Sequence, residues 1–282
     1  MKVVSKARPS PIAGQWYPGE ATRLASSIDH YIESAQPAAI EGEVVALMAP
    51  HAGHLYSGPV AAHAFKTLLG RQIELAAVIA PMHHLYHQPL LTTAHPSYFT
   101  PLGQVPVDQE ALSALDTILQ AELGFGLSAV ERDPEHSLEI ELPFLQRALP
   151  AGFTLLPVMV RDQRGAVAQA LGKALAQVLR GRQAILVAST DLSHFYSQAT
   201  ARLLDGEILH QVECFDPQGL LDAEQEGRGF ACGKAALAAV MWAALELGAN
   251  RAVILNYATS GDVSGDYERV VGYAAAAFIR AS

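Results

Sequence analysis

Cysteine is scarce in this sequence, which makes a disulfide framework an improbable basis for the fold. Only Cys214 and Cys232 occur among the 282 residues, so thiols are available for other chemistry. Long apolar runs are absent as well, since no stretch reaches 18 uninterrupted apolar residues. The N-terminal segment MKVVSKARPSPIAG is too polar and too rich in proline for a signal peptide. We therefore expect a cytoplasmic protein that does not engage a membrane.

Positive charge is also in short supply. The chain has 19 Lys and Arg against 28 Asp and Glu, a formal net charge of −9, and no cluster of basic residues. Nucleic acid is an unexpected partner for such a chain, because phosphate binding needs a basic surface. Half of the residues are hydrophobic, which is enough for a large core. No linker, repeat or break in composition divides the chain, so we expect one domain over residues 1–282.

Five apolar runs of strand length recur without polar alternation, a pattern typical of central strands that are buried on both faces. They are Val44–Ala49, Leu75–Ala80, Thr154–Val160, Ala184–Ser189 and Ala252–Tyr257. Six segments with helical spacing lie between or beside them: Pro59–Leu69, Asp108–Leu119, Pro134–Leu149, Ala166–Leu179, Ala199–Val212 and Lys234–Leu247. This alternation predicts an α/β fold with a central, largely parallel or mixed β-sheet flanked by helices on both faces.

Histidine is the residue in surplus, with eleven in the chain, and several follow the predicted strands directly. His51 follows the first run, His83 and His84 follow the second, and AILVASTDLSH ends on Asp191 and His194. Because parallel strands end at one edge of a sheet, we expect these side chains to converge there. Convergent imidazoles indicate metal binding or acid–base chemistry, although hydrogen bonding to loop backbone explains any single one equally well. No HExxH, CxxC or EF-hand pattern identifies a metal.

A further histidine, His136, lies in the segment DPEHSLE. Asp133 can cap a helix with Pro134 at its first position, which would place His136 in the first turn. The positive end of the helix dipole would then lower the imidazole pKa and favour a neutral base.

Aromatic residues and one more histidine are candidates for substrate contacts. Tyr56 and Tyr257 each lie in a predicted loop after a strand, and His84 would point away from its neighbour His83 in an extended backbone. Trp16 and Tyr17 lie in a Pro/Gly setting. They either pack the N-terminal arm against the core, the favoured interpretation, or form a wall for a flat ligand.

Seven segments of the sequence closely resemble the Memo family, in its bacterial and archaeal form called AmmeMemoRadiSam system protein B. They run in order along nearly the whole chain: AGQWYP, APHAGHLYSG, APMHH, EHSLEIELPFLQ, STDLSH, ACGKAAL and NYATSGDVSGDYERVVGYAAAAF. That family is similar in fold to the LigB-type, class III extradiol dioxygenases. The non-haem Fe(II) of those enzymes is held by two histidines and a glutamate.

The resemblance implies a metal site on His51, His83 and Cys232. The two histidines match the ligand positions of the dioxygenases, and cysteine occupies the third position in the Memo family. Without the resemblance, Cys232 would be interpreted as a small buried residue before a helix. A thiolate makes the ligand set softer, so Fe(II) is the expected ion and copper or zinc also fit.

The resemblance also matches His136 and His194 with the acid–base pair that flanks the iron of ring-cleaving enzymes. One would take a proton from a phenol and the other would donate one to activated oxygen. Asp191, three residues before His194, would either cap the next turn or orient a ligand imidazole through a hydrogen bond. We count all three among the catalytic candidates.

The resemblance implies a non-haem, iron-dependent redox enzyme related to extradiol dioxygenases. Its expected substrate is a small molecule, and aromatic compounds are among the candidates. Whether it turns over is left open, because a binding protein for phenolic, phosphotyrosine-like ligands fits the same resemblance. A metal-handling role beside radical-SAM and AMMECR-type partner proteins is a third reading. A hydrolytic zinc enzyme is a fourth, with His194 and His136 moving protons around bound water.

Overall fold

A nine-stranded sheet runs through the computed structural model, which describes residues 6–281 of the chain. The strands, numbered in chain order, are β1 (Glu43–Ala49), β2 (Leu75–Pro81), β3 (Leu90–Thr93), β4 (Ser97–Thr100), β5 (Gly103–Pro106), β6 (Ser128–Val130), β7 (Thr154–Val160), β8 (Ala184–Ser189), β9 (His194–Tyr196), β10 (Arg251–Thr259) and β11 (Val270–Arg280). Strands β4 and β5 form a separate hairpin.

The helices fill the connections between the strands. In chain order they are α1 (Ala21–Ser34), α2 (His54–Lys66), α3 (Gln109–Leu123), α4 (Leu142–Ala148), α5 (Gly165–Leu179), α6 (Gln198–Glu213), α7 (Pro217–Gln225), α8 (Lys234–Glu246) and the short α9 (Gly261–Ser264). A 3₁₀ turn, Glu139–Glu141, leads directly into α4.

The sheet is mixed, and its centre is parallel. The strand order is β10-β11-β1-β8-β2-β7-β3-β6, with β9 paired to β11. Strands β1, β8, β2 and β7 are parallel neighbours, whereas β11 is antiparallel to both β1 and β10, and β3 is antiparallel to β7. Strands β1, β2, β7, β8 and β10 therefore all end at the same edge.

Helices cover the sheet in two groups. Helix α2 packs on β1, β10 and β11 together with α1 and α4, while α8 packs on β1, β2, β7 and β8 together with α5 and α7. Every residue of β2, and every residue of β1 after the first, is buried, as expected for strands covered on both faces. One continuous hydrophobic cluster extends from Ile12 to Ile279, so the described residues form a single domain.

The predicted α/β fold is confirmed, and the five predicted strands occur within two residues of their expected ends. Strand β11 was not predicted because its sequence VVGYAAAAFIR contains four consecutive alanines, which have low strand propensity. These small side chains lie where α2 and α6 approach the sheet. Between Lys6 and Ala281, no helix is both long and apolar enough to cross a membrane.

The helix predicted over Pro134–Leu149 is wrong at its start. Residues 134–138 are not helical, and the first helical turn begins at Glu139. The buried Arg8 explains the difference, because its guanidinium donates to Asp133 Oδ2 and to the carbonyl oxygen of Glu135, both at 2.5 Å. These bonds hold the segment in an irregular conformation. Helical propensity over so short a stretch is too weak to oppose them.

Candidate metal centre

Polar side chains gather where the central parallel strands end. His51 follows β1, Asp191 follows β8, and His83 follows β2, and these three strands are neighbours in the sheet. Strand β1 ends immediately before Pro50 and β2 ends at Pro81, so each histidine lies just beyond the hydrogen-bonded ladder. The fold thus places residues from distant parts of the sequence at one edge.

Three imidazoles form the centre of this region. His51, His83 and His136 each offer one ligand nitrogen, and these nitrogens lie within 4.8 Å of one another. The ring centroids are 5.2 Å apart for His51 and His83, 5.5 Å for His51 and His136, and 4.8 Å for His83 and His136. His51 is buried, His136 is partly buried and His83 is exposed. The histidine cluster, as we call these three residues, therefore opens to solvent at His83.

A serine hydroxyl determines which nitrogen of His51 carries the proton. His51 Nδ1 lies 2.9 Å from Ser189 Oγ, and Ser189 Oγ donates to the carbonyl oxygen of Ser137 at 2.6 Å. Because a hydroxyl has a single proton, Ser189 must accept from Nδ1–H of His51. Nε2 of His51 is consequently unprotonated. Burial, followed by repulsion from His136 and His83, lowers the imidazole pKa well below its usual value.

Asp191 holds the backbone of the turn after β1. Its Oδ1 accepts from the backbone N–H of His51 at 2.7 Å. Burial raises the carboxyl pKa to about 7, although hydrogen bonds from the backbone of His51 and Ala52 oppose that shift. Asp191 thus positions His51 through its main chain. This bond differs from both predicted roles, because it holds the backbone after β1 rather than the turn after Asp191 and does not involve an imidazole nitrogen.

Cys232 lies against His51 at the start of α8. Its Sγ is 3.2 Å from His51 Nε2 and accepts from the backbone N–H of Asp191 at 3.3 Å. Burial raises the pKa of the thiol, so the S–H group is available to donate to the bare Nε2. A Cβ atom on Gly233 would lie 2.6 Å from the Ser189 carbonyl oxygen, so glycine is needed for α8 to begin this close to β8. Cys232 adjoins the histidine cluster through His51.

A buried glutamate, Glu135, links the other two imidazoles. Its Oε1 lies 2.9 Å from His83 Nδ1 and 3.2 Å from His136 Nδ1, and its Oε2 accepts from the backbone N–H of His83 at 2.6 Å. Burial alone would raise the carboxyl pKa. The hydrogen bond from His83 and the charges of both histidines outweigh burial and hold that pKa below its usual range. Sequence reasoning did not identify Glu135, and the only signal was an acidic residue directly before His136.

His136 is a neutral imidazole, but not for the predicted reason. It precedes the 3₁₀ turn, so it does not lie in the first turn of a helix. Burial lowers its pKa to about 4. The Trp16 ring lies over it, with centroids 4.2 Å apart. Tyr17 is buried and donates from its hydroxyl to Glu139 Oε1 at 2.5 Å. Tyr17 thus packs the N-terminal arm against the core, whereas Trp16 borders the histidine cluster.

His194 lies at the start of β9, outside the group of three. Its Nδ1 donates to the Leu192 carbonyl oxygen at 2.8 Å, and the Phe230 ring is 5.6 Å away between centroids. Burial lowers its pKa, and His83 adds a smaller electrostatic contribution in the same direction. Its Nε2 is therefore free to accept a proton.

The predicted substrate contacts have other local settings. Tyr56 is not in a loop, because it lies in the first turn of α2 with its ring partly exposed. Tyr257 is not in a loop either, since it belongs to β10 and donates to Asp205 Oδ2 at 2.7 Å. His84 is exposed in the loop after β2. None of these placements tests their predicted contact with a substrate.

Comparisons of the sequence find similar proteins over nearly its whole length. A family model described as Memo-like protein matches residues 8–277. A MEMO1 family protein of Nitrosopumilus maritimus is 34% identical over 272 residues, which cover 95% of this chain and 98% of that protein. One from Methanosarcina mazei is 35% identical over 272 residues, with coverage of 95% and 97%. An uncharacterised Escherichia coli K12 protein of known structure, JW3007, is 14% identical with a TM-score of 0.48, covering 82% of this chain and 99% of that one.

Proposed function

The chain belongs to the Memo family, and from that premise we propose that it is a metal-dependent redox enzyme. Its metal site would be the histidine cluster and its substrate a small phenolic compound. The observation that carries the proposal is the set of three imidazoles from three separate parts of the chain, with ligand nitrogens within 4.8 Å of one another.

The donor set fits a transition-metal ion. His51 has its proton on Nδ1, bonded to Ser189, and His83 Nδ1 faces the Glu135 carboxylate, so Nε2 of each carries no proton. Histidines that ligate metals in proteins usually bond to protein acceptors through the other ring nitrogen in this way. A cation can therefore bind these two Nε2 atoms without displacing a proton from either imidazole. We propose His51 and His83 as two of the ligands.

Cys232 and His136 are alternatives for the third ligand. Cys232 Sγ is in contact with His51 Nε2 at 3.2 Å, and it would provide a soft thiolate once the cation displaces its proton. His136 would provide a third neutral nitrogen and belongs to the group of mutually close ligand atoms. The softer set suits Fe(II), copper and zinc alike. We propose Fe(II) as the resident ion, with Cys232 as its third ligand.

The protein's own residues would bind and deprotonate the substrate. A bound iron ion supplies Lewis acidity and one-electron redox chemistry. Nε2 of His194 is unprotonated at neutral pH because burial lowers that imidazole's pKa, so it can take a phenol proton. His136, also neutral, would hold or return a proton if Cys232 is the third ligand. Trp16, next to His136, gives an aromatic ring a surface on which to pack.

Metal titration tests the binding part of the proposal. Metal-free protein would be titrated anaerobically with Fe(II), Cu(I) and Zn(II), and bound metal would be counted by elemental analysis. We expect one ion per chain, lost in His51→Ala and in His83→Ala. Comparison of Cys232→Ala with His136→Ala identifies the third ligand. The matched control is His84→Ala, an exposed histidine beside His83, which should bind as the unaltered protein does. Stoichiometric binding that survives loss of both His51 and His83 would refute the site.

Oxygen consumption tests the redox part. Iron-loaded protein would be mixed with a panel of catechols and simpler phenols in air-saturated buffer. We expect substrate-dependent oxygen uptake that His194→Ala reduces by about 100-fold, the usual contribution of a positioned proton carrier. Uptake that is equal with and without the phenols would contradict a phenolic substrate.

A further inference from the structure

We propose that Glu135 is a positioning residue that holds His83 and His136 in one shared tautomer, with the proton on Nδ1 and the lone pair on Nε2. The inference deepens the proposed function, because two Nε2 atoms would then face the same side of the cluster. Its consequence for metal affinity rests on that function. The tautomer itself is a property of the metal-free protein.

The geometry around the carboxylate supports this role. The two imidazole rings are nearly parallel, with centroids 4.8 Å apart and 19° between their planes. Both Nδ1 atoms approach the same oxygen, Oε1 of Glu135, at 2.9 Å from His83 and 3.2 Å from His136. A carboxylate oxygen can only accept, so the hydrogen bond from His83 requires a proton on its Nδ1. The His136 Nδ1 makes an ionic contact with the same oxygen, and the negative charge there favours a proton on that nitrogen as well. One oxygen atom therefore contacts both rings, through a hydrogen bond to His83 and an ionic contact with His136.

The remaining contacts of Glu135 leave it no other role for its charge. Oε1 also accepts from the backbone N–H groups of His136 and Ser137 at 3.0 Å, and Oε2 accepts from the backbone N–H of His83 at 2.6 Å. All of these partners are donors. A glutamine of the same shape would turn an NH₂ group towards donors in either orientation, so it would lose at least one of these bonds.

The backbone of Glu135 is also held in place, independently of the imidazoles. Arg8 donates to the Glu135 carbonyl oxygen and to Asp133 on one side, and it pairs with Glu139 on the other. Glu135 is completely buried. Its position is thus set by the core of the protein, and the rings of His83 and His136 adapt to it.

The tautomers can be measured directly by NMR. Protein with ¹⁵N-labelled histidine, freed of metal, would give long-range ¹H–¹⁵N spectra that distinguish protonated from bare ring nitrogens. Signals would be assigned with His83→Gln and His136→Gln. We expect bare Nε2 on both residues in the unaltered protein, and mixed tautomers in Glu135→Gln. Zn(II) affinity should fall by about 10- to 100-fold in Glu135→Gln, as for other groups that orient metal ligands.

Glu139→Gln is the matched control. Glu139 is equally buried, four residues along the same segment, and bonded to Arg8, Ser10 and Tyr17 rather than to an imidazole. It removes a buried carboxylate and loosens Arg8 but leaves the contacts of Glu135 with the imidazoles in place, so it should change both tautomers and Zn(II) affinity less than Glu135→Gln does. Equal tautomer changes in the two variants would overturn the proposal, because the effect would then be structural.

The unaltered protein alone provides a second check if Glu135→Gln fails to fold. Protons on Nε2 of both His83 and His136 in its spectrum would overturn the proposal. The outcome is separable from that of the metal titration. Glu135-dependent tautomers in a protein that binds no metal would uphold the positioning role and refute the proposed function, whereas tautomers that are indifferent to Glu135 would refute only the positioning role.

Discussion

The histidine cluster has two walls that are built differently. The strand wall consists of His51, Ser189, Asp191 and Cys232, which lie at the ends of β1 and β8 and at the start of α8. The loop wall consists of His83, Glu135 and His136, on segments without regular structure. The strand wall is joined by bonds among neutral groups and backbone, apart from Asp191. The loop wall depends on a buried carboxylate and on the ionic contacts of Arg8.

This difference separates the two sources of order in the site. Paired strands with buried faces have a definite register, so a residue at a strand end is placed by the sheet itself. A loop has no such ladder, and its buried backbone groups need other partners. Arg8 and Glu135 are those partners for residues 133–137. The strand wall should therefore tolerate polar substitutions better than the loop wall does.

Loss of Arg8 should have the largest effect on stability. Arg8→Met removes a guanidinium that is only 1% exposed and leaves Asp133 and Glu139 buried without their cation. Breaking a buried ion pair from one side typically costs about 3–5 kcal/mol. We expect the free energy of unfolding, measured with guanidinium chloride, to fall by about that amount, and the His83 and His136 NMR signals to broaden or move more than that of His51.

Arg147→Met is the control for this comparison. Arg147 forms a bidentate pair with Asp29 at 2.7 Å, but the two side chains are 40% and 39% exposed. Exposed pairs contribute about 0–1 kcal/mol. A loss for Arg8→Met no greater than that for Arg147→Met would mean that the loop wall does not depend on its buried ions.

How far the site could be predicted from sequence follows the same division. His51, His83 and Asp191 were expected at one edge because each follows an apolar run, and buried parallel strands are recognisable from composition alone. The conformation around His136 was predicted wrongly. It depends on Arg8, more than 120 residues earlier, which no local pattern connects to Asp133. Contacts between distant polar residues leave no periodic signal.

Cys232 illustrates a further limit. Its place beside His51 depends on the start of α8 and on the absence of a side chain at Gly233, neither of which spacing reveals. Only the family resemblance pointed to it. Its role as a ligand remains a prediction, as do the roles assigned to His136 and His194.

The acid side of the stability curve should depend on His54, a buried histidine near both walls in the sequence. His54 begins α2, three residues after His51, and its Nε2 donates to the Ile140 carbonyl oxygen at 3.0 Å, just beyond the loop wall. Burial lowers its pKa to about 4. An unfolded histidine titrates near 6.5, so the unfolded state binds a proton first as the pH falls. The free energy of unfolding therefore loses nothing to His54 above about pH 6.5, and it falls as the pH drops from there towards about 4.

His54→Gln tests this dependence, since an amide N–H can replace the bond to Ile140 without titrating. The lowered pKa of His54 corresponds to a loss of about 3 kcal/mol in the free energy of unfolding between about pH 6.5 and about pH 4. We expect denaturant unfolding at a series of pH values to show a flatter acid limb in His54→Gln than in the unaltered protein. Parallel curves through this window would show that the buried His54 does not contribute to the acid limb.

Ser189→Ala, a change in the strand wall, should have the smallest effect on folding of the changes proposed to the site. This change removes the acceptor of His51 Nδ1–H and the donor to the Ser137 carbonyl oxygen, which should cost about 1–2 kcal/mol in unfolding free energy. Ser137→Ala is the matched control, because its buried hydroxyl donates to the Pro81 carbonyl oxygen at 2.7 Å and contacts no imidazole. Both variants should lose similar stability, yet only Ser189→Ala should release the His51 tautomer and weaken Zn(II) binding, by about 10-fold. Because Ser189 is neutral and His51 is also held through its backbone by Asp191, that loss should be smaller than the loss in Glu135→Gln. The reverse order of affinities would mean that the strand wall, rather than the loop wall, is the part of the site that depends most on side-chain hydrogen bonds.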